Sequence, residues 1–256
     1  MSQDQFHPSF PRPADESVRI WRYMPFERFA WLVESRRLYM PRPVQLEQND
    51  NFEGTMPSAE AAWWDEAMRK AASADKAEII KANKEKIMGF VRSFRSGWFI
   101  SCWHMEQEEN FAFWEIYGKN ADSLAIVTTF AKLESQLPAH VHVGCVRYID
   151  YEMQNFERNG GNLPNLFDYI MHKRSFYRYE NEVRAVASAF SPARDGIDAN
   201  IVNDSYAPLI VPSDLIDEVV VHPRASSDFF ERVVEFCATH HLPRPVLSGL
   251  SKAPIT

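Results

Sequence analysis

Two carboxylates placed two residues apart are the side chains in this sequence whose types best suit chemistry. Glu180 and Glu182 stand in the segment YENEVR, and Arg184 follows at the same spacing. Side chains two apart on a strand share a face, so the three are expected to form one row. The central member of such a row is held by both neighbours, so its position is fixed. We therefore predict Glu182 as the catalytic residue, positioned by Glu180 and Arg184.

Charged and aromatic residues elsewhere in the chain could complete a binding site. Arg22 and Tyr23 stand together in IWRYM, Trp114 and Tyr117 lie in FWEIYG, and Lys173 precedes the carboxylate pair. An arginine can bind a pyrophosphate through its planar fork, and aromatic rings can stack on a planar base. The predicted cofactor-binding residues are therefore Arg22, Tyr23, Trp114, Tyr117, Lys173 and Arg184.

An arginine held between aromatic residues needs an anionic partner when it is buried. We therefore expect Arg22 and Glu53 to lie near Glu180 and Glu182. The alternative is structural, because a row of charges on a strand also forms a paired ladder that fixes the fold, and aromatic residues more often pack in cores. In that case the chain is a noncatalytic ligand-binding or regulatory domain.

A metal-dependent nuclease is a further alternative, since such enzymes hold a cation between carboxylates and often a lysine. Glu53, Glu180, Glu182 and Lys173 could supply these groups. The sequence has no His-Glu-x-x-His or Cys-x-x-Cys pattern, so no metal is predicted. A Gly-x-Ser-x-Gly elbow and the glycine-rich dinucleotide motifs are also absent from the sequence.

The order of the motifs resembles the prokaryotic family catalogued as domain of unknown function 2971. The resemblance runs from about residue 20 to 184 and is carried by Arg22-Tyr23, Leu38-Tyr39, Asn51-Phe52-Glu53-Gly54, Ser101-Cys102, Trp114 with Tyr117-Gly118, Lys173, and Tyr179-Glu180-Asn181-Glu182-Val183-Arg184. Two departures are that Trp114 stands three residues before Tyr117 and that Phe176 or Tyr177 replaces a tryptophan.

The same order of elements is similar to that of ADP-ribosyltransferase folds. This similarity implies an enzyme that acts on a nucleotide-like cofactor such as NAD, either a transferase or a glycohydrolase. It further implies that Arg22 binds the cofactor, that Trp114 or Tyr117 stacks on nicotinamide, and that Glu182 stabilises the oxocarbenium-like centre.

Composition limits the compartment and the partners. The formal net charge of -7 disfavours nonspecific nucleic-acid binding, while a small-molecule or nucleotide ligand stays open. The 3 cysteines are widely spaced and are interpreted as reduced thiols. No apolar run is long enough to span a bilayer and no secretion signal begins the sequence. A cytoplasmic protein without membrane association is expected.

The elements that would position these residues indicate an α+β fold. We predict an extended N-terminal arm over residues 1–17, then one domain over 18–256 with a central mixed or mostly antiparallel twisted sheet flanked by helices. The stretch 58–95, rich in Ala, Lys and Glu, predicts a helical insertion. Short strands are expected at 18–24, 38–40, 98–103, 124–128, 140–149, 181–190, 206–211 and 218–221.

Overall fold

The computed structural model of the chain describes residues 7–45, 51–118, 120–157, 164–190 and 194–251. Its α-helices are α1 Phe26–Ser35, α2 Ser58–Arg69, α3 Ala74–Gly97, α4 Phe111–Phe113, α5 Phe130–Ser135, α6 Asp168–Met171, α7 Arg194–Asp198, α8 Pro212–Leu215 and α9 Ser227–Thr239. None of these described helices is both long and apolar enough to cross a bilayer.

The described strands are β1 Arg19–Pro25, β2 Trp98–Met105, β3 Ser123–Thr129, β4 His142–Cys145, β5 Arg147–Ile149, β6 His172–Arg174, β7 Glu182–Ser188, β8 Ile201–Val202, β9 Ser205–Tyr206, β10 Glu218–Val221 and β11 Val246–Leu247. Seven of them form one mixed sheet in the order β11-β10-β3-β1-β2-β7-β4. Most of its described strand pairs are antiparallel, and β10 with β11 is a parallel one. The predicted α+β class with a mostly antiparallel mixed sheet is confirmed.

Contacts between Cα atoms divide the chain into two compact units. Unit 1 comprises Met1–Arg12, Met40–Ile100 and His142–Tyr206, and unit 2 comprises the rest of the chain. Compactness does not by itself show that a unit folds alone. The arm over 1–17 and the single domain over 18–256 therefore stay predictions.

Hydrophobic alternation and helix-forming composition account for the main elements. Strand β7 is buried along its whole length, as expected for VRAVAS inside a sheet. The predicted helical insertion is confirmed as the pair α2 and α3, in which Lys84 of α3 lies 2.6 Å from the carboxylate of Asp65 of α2.

Three predicted elements differ from those observed. The strand expected at 38–40 is only a pair of isolated bridges, Arg37 with Leu209 and Met40 with Tyr206. The strand expected at 206–211 ends at Tyr206, since Pro208 has no N–H to donate to a ladder. The sequence of residues 163–172 also predicts a helix, of which one turn, α6, is observed. The glycine pair Gly160-Gly161 predicts a turn that lies outside the described residues.

Candidate functional site

Strand β7 presents Glu182 and Arg184 on one face in the interior of unit 1. The two side chains stand two residues apart, and both are buried. The backbone N–H of Glu182 donates to the hydroxyl of Tyr148 at 2.9 Å, which fixes the start of the strand. Burial and the nearby charge of Glu182 raise the pKa of Tyr148, so its hydroxyl stays protonated.

Glu180 does not belong to the same strand, although the sequence predicted that it did. It ends a 3-10 turn, Ser175–Glu180, and Asn181 then adopts a left-handed conformation with φ 37°. Asparagine enters that region more readily than most residues, so it can break the extended backbone between the two glutamates. Glu180 therefore approaches the row from a turn, and the three side chains are not one continuous strand face.

The guanidinium of Arg184 holds two carboxylates at once. Its Nε donates to Glu182 Oε1 at 2.7 Å and its Nη2 donates to Glu182 Oε2 at 3.0 Å. On the other side, Nη1 and Nη2 donate to the two oxygens of Glu53 at 2.5 and 3.1 Å. Nη1 also donates to the backbone oxygen of Ile170 at 2.5 Å. Such two-pronged pairs are strong and fix geometry.

Glu53 reaches this position from a tight turn. Gly54 follows it with φ 69°, a left-handed conformation that glycine adopts without steric cost. A Cβ at Gly54 would lie 3.3 Å from the Cγ of Arg95, and the Nε of Arg95 donates to the backbone oxygen of Glu53 at 2.9 Å. The predicted proximity of Glu53 to the other two glutamates is therefore observed.

Lys173, from strand β6, completes the group. Its Nζ donates to Glu180 Oε2 at 2.5 Å and to Glu182 Oε2 at 3.4 Å, and it lies 3.7 Å from Glu53 Oε2. Burial lowers the pKa of Lys173, but the surrounding carboxylates outweigh burial and raise it, so the amine stays charged. We name Glu53, Lys173, Glu180, Glu182 and Arg184 the buried charge cluster.

The pKa of the Glu180 carboxyl is raised above its ordinary value. Burial raises its pKa first, and the negative charge of Glu182 raises it further, while Lys173 and Arg184 lower it only in part. A carboxyl with a raised pKa can donate a proton nearer to neutral pH than an ordinary glutamate.

Exposed rings and a guanidinium lie next to the buried charge cluster along the chain. The guanidinium carbon of Arg174 is 4.1 Å from the ring centroid of Phe52 and 5.5 Å from that of Tyr177. Phe52 is 40% exposed, Phe176 is 81% exposed and Tyr179 is 51% exposed. We name Phe52, Arg174, Phe176, Tyr177 and Tyr179 the aromatic rim.

The remaining predicted residues lie in unit 2, where most of them pack. The Nη2 of Arg22 donates to the backbone oxygen of Tyr39 at 3.1 Å, and its guanidinium lies 5.6 Å from the ring of Trp103. Burial lowers the pKa of Arg22 to about 10. The structure thus gives Arg22 neutral partners within its own unit, and a shared site with the glutamates stays a prediction.

The aromatic residues of unit 2 form a core cluster. Trp114 is fully buried, packs edge-on against Tyr23 at 4.8 Å, and donates from Nε1 to Glu109 at 3.0 Å. The hydroxyl of Tyr23 accepts from the backbone N–H of Asn110. Tyr117 is half-buried at the edge of this cluster. Stacking on a planar ligand would need an exposed ring face, which Trp114 lacks in this arrangement.

Sequence reasoning missed Arg174, Phe52, Tyr148 and the two rim tyrosines as site residues. Their signal was adjacency, because Phe52 precedes Glu53 and Arg174 follows Lys173. Within the described part of the chain, no group of three or more His, Cys, Asp or Glu side chains is arranged to hold a metal ion. The oxygens of Glu53 and Glu182 face Arg184 and Lys173 instead. Comparison with family models, curated proteins and solved structures found no match to this chain.

Proposed function

We propose that unit 1 binds a small planar, anionic ligand of the nucleotide type, and that the buried charge cluster is the rigid frame of that site. The observation that carries the proposal is the aromatic rim, where Arg174 lies between Phe52 and Tyr177 beside further exposed rings. Rings stack on bases, and a guanidinium binds phosphate or carboxylate.

The frame role follows from the pairing inside the cluster. Both carboxylate oxygens of Glu182 accept from Arg184, and so do both oxygens of Glu53. Charges that satisfy one another so fully in the interior specify geometry more than they provide reactive groups. Lys173 and Arg174 are adjacent in the chain. Because Lys173 belongs to the buried charge cluster and Arg174 belongs to the aromatic rim, the cluster fixes the position of the rim.

The test is ligand-dependent thermal stability of the full chain with NAD, ADP-ribose, AMP and nicotinamide as separate probes. A ligand that binds only the folded state at about 100 times its Kd stabilises by roughly 2.7 kcal/mol. For a chain of this size that corresponds to a rise in Tm of about 5–10 °C. We expect such a rise for at least one phosphate-bearing probe.

Arg174→Ala is the informative variant, since it removes the guanidinium of the aromatic rim. The matched control is Arg92→Ala, which removes an exposed arginine of α3 in the same unit. The shift in Tm should disappear in Arg174→Ala and persist in Arg92→Ala. No shift with any probe, or an equal shift in both variants, contradicts the proposal.

The raised pKa of Glu180 favours a second candidate, an ADP-ribosyltransferase-like transferase or glycohydrolase that consumes NAD. On this proposal Glu180 supplies a proton, while Glu182, held by Arg184, stabilises positive charge on the sugar. The order of the sequence motifs, which resembles that of ADP-ribosyltransferase folds, is the further reason to test this candidate.

NAD consumption by wild type, Glu180→Gln and Glu182→Gln decides this second candidate. Enzyme chemistry predicts turnover by wild type and a loss of at least about 100-fold when a proton donor is removed. Folded fraction is matched by circular dichroism. An absence of turnover by wild type, together with a positive thermal shift, leaves ligand binding as the function.

A further inference from the structure

A short segment near the N-terminus lies along the edge of the sheet in unit 1. We name His7–Arg12 the N-terminal strap. Strand β4 stands at one end of the sheet order with β7 as its neighbour, and the backbone N–H of Cys145 donates to Pro11 O at 2.7 Å. The Nη2 of Arg147 donates to Pro8 O at 3.4 Å. These two hydrogen bonds join the strap to β4 at the sheet edge and to the first residue of β5.

A glycine in β4 allows the strap to approach closely. A Cβ at Gly144 would lie 2.7 Å from the Cα of Phe10, which is closer than real Cβ atoms come to backbone. Phe10 itself is 4% exposed. Any side chain at Gly144 would thus have to displace the strap. Glycine at this position leaves the space that the strap occupies.

Two histidines and two phenylalanines hold the strap in place. His7 and Phe10 from the strap pack with His142 of β4 and Phe167, which precedes α6. All six ring pairs have centroids between 5.0 and 5.6 Å apart. We name these four rings the aromatic quartet. Its apolar contacts favour neutral imidazoles over imidazolium ions.

The hydrogen bond at Nδ1 of His7 requires a neutral ring. Its Nδ1 accepts from the backbone N–H of Ser9 at 3.2 Å, so that nitrogen carries no proton. Protonation of Nδ1 would set two N–H groups against each other. The Nε2 lies 3.4 Å from Nδ2 of Asn165. Burial lowers the pKa of His7, and the carboxylate of Asp168 offsets this in part.

We propose that the N-terminal strap is released by acid: it docks on β4 while His7 is neutral, and protonation of His7 detaches it and uncovers the sheet edge. The other titratable or charged groups around it are Asp168, whose charge raises the pKa of His7, His142, whose ring centroid lies 5.6 Å from that of His7, and Arg147, which donates to Pro8 of the strap. The ordinary pKa of 6.5 is lowered on docking, so docking is complete above pH 6.5 and weakens as the pH falls below it.

Hydrogen exchange of the full chain, followed by mass spectrometry from pH 5 to 8, tests this proposal. Protection factors, corrected for intrinsic exchange, are compared for a peptide with the Cys145 amide and for a β7 peptide as internal reference. Below pH 6.5 we expect protection at Cys145 to fall by up to about tenfold per pH unit, the limit for one proton. Protection of β7 should stay constant.

Two substitutions at one position isolate His7. His7→Phe keeps a ring, His7→Gln keeps a hydrogen-bonding group, and neither titrates, so at least one should dock and show a pH-independent protection factor. The control His241→Asn changes an exposed histidine with φ 56°, which asparagine tolerates, and should keep the wild-type profile. Gly144→Ala should lower protection at Cys145 at every pH.

Three outcomes overturn the proposal. The first is a wild-type protection factor that does not change with pH. The second is a wild-type profile that persists in both His7 variants. The third is a pH dependence of protection at Cys145 that His142→Phe abolishes and that the His7 variants keep, which would assign the proton to His142.

Discussion

Arg184 is the residue on which the buried charge cluster depends, because it holds both Glu53 and Glu182 and is fully buried. Replacing it with Met keeps much of its volume but leaves two carboxylates without their strongest partner. Breaking a buried ion pair by removing one member costs about 3–5 kcal/mol. We therefore predict that Arg184→Met lowers the free energy of unfolding by that amount, measured by urea denaturation.

The comparison for Arg184→Met is Arg92→Met, which changes an exposed arginine and should alter the free energy by less than about 0.5 kcal/mol. A loss below about 1 kcal/mol in Arg184→Met, at an unchanged urea dependence, would show that the cluster contributes little to stability.

The raised pKa of Glu180 predicts how the free energy of unfolding depends on pH. Its pKa is raised in the folded chain above the ordinary 4.5, so the fold favours the protonated form. The contribution of that form is complete below pH 4.5 and is lost as the pH rises through the raised folded-state pKa. The amide introduced by Glu180→Gln does not titrate, so this variant should not lose stability for this reason as the pH rises.

The free energy of unfolding of Glu180→Gln relative to wild type should therefore increase between pH 4.5 and neutrality. Urea titrations of both proteins at several pH values measure this difference. Glu134→Gln, which removes a carboxylate from a partly exposed residue of α5 in unit 2, is measured beside it as the reference substitution. A constant or falling difference for Glu180→Gln contradicts the raised pKa.

At the residue scale, the sequence predicted the identities in the cluster better than their geometry. The sequence identified Glu53, Lys173 and Arg184 because charged side chains stand there beside bulky aromatic residues, which a purely apolar core would not contain. The left-handed Asn181 could not be foreseen, because residue type favours that conformation without requiring it. The pairing of both Glu182 oxygens with Arg184 also depends on how β7 is buried, which a local pattern does not specify.

Helix α9 in unit 2 begins with a side-chain cap that can be tested alone. The hydroxyl of Ser226 accepts from the backbone N–H of Phe229 at 3.1 Å. Loss of such a cap costs about 0.5–2 kcal/mol. We predict that loss for Ser226→Ala in thermal or urea unfolding.

The adjacent Ser227→Ala is the control for this cap, because the hydroxyl of Ser227 contacts only the exposed carboxylate of Asp228 among its described hydrogen bonds. It should change stability by less than about 0.5 kcal/mol. Equal effects of the two substitutions would mean that the cap of α9 has been assigned to the wrong serine.

At the element scale, long periodic patterns were predicted well and short strands were not. The helices α2 and α3 follow from residue spacing and composition alone. The stretch from Tyr206 to Val211 has strand-forming residues, but proline removes a donor and leaves only a short strand and a bridge. Whether such a segment pairs depends on its distant partner.

At the scale of the whole molecule, the net charge of -7 governs encounters with polyanions. We predict no measurable binding of a short labelled DNA duplex at physiological salt, with any Kd weaker than roughly 10⁻⁴ M. Fluorescence anisotropy measures this. Saturable binding that weakens steeply with added salt would reveal a basic surface that the net charge conceals.

The pairing of Glu53 with Arg184 also bears on how the chain is made. The two residues are 131 positions apart. A ribosome adding about 5–20 residues per second needs roughly 7–26 s to synthesise that interval. During this time the carboxylate of Glu53 has no Arg184 to pair with, and the nascent segment around it must stay hydrated. Unit 1 can therefore close around the buried charge cluster only after Arg184 has been synthesised.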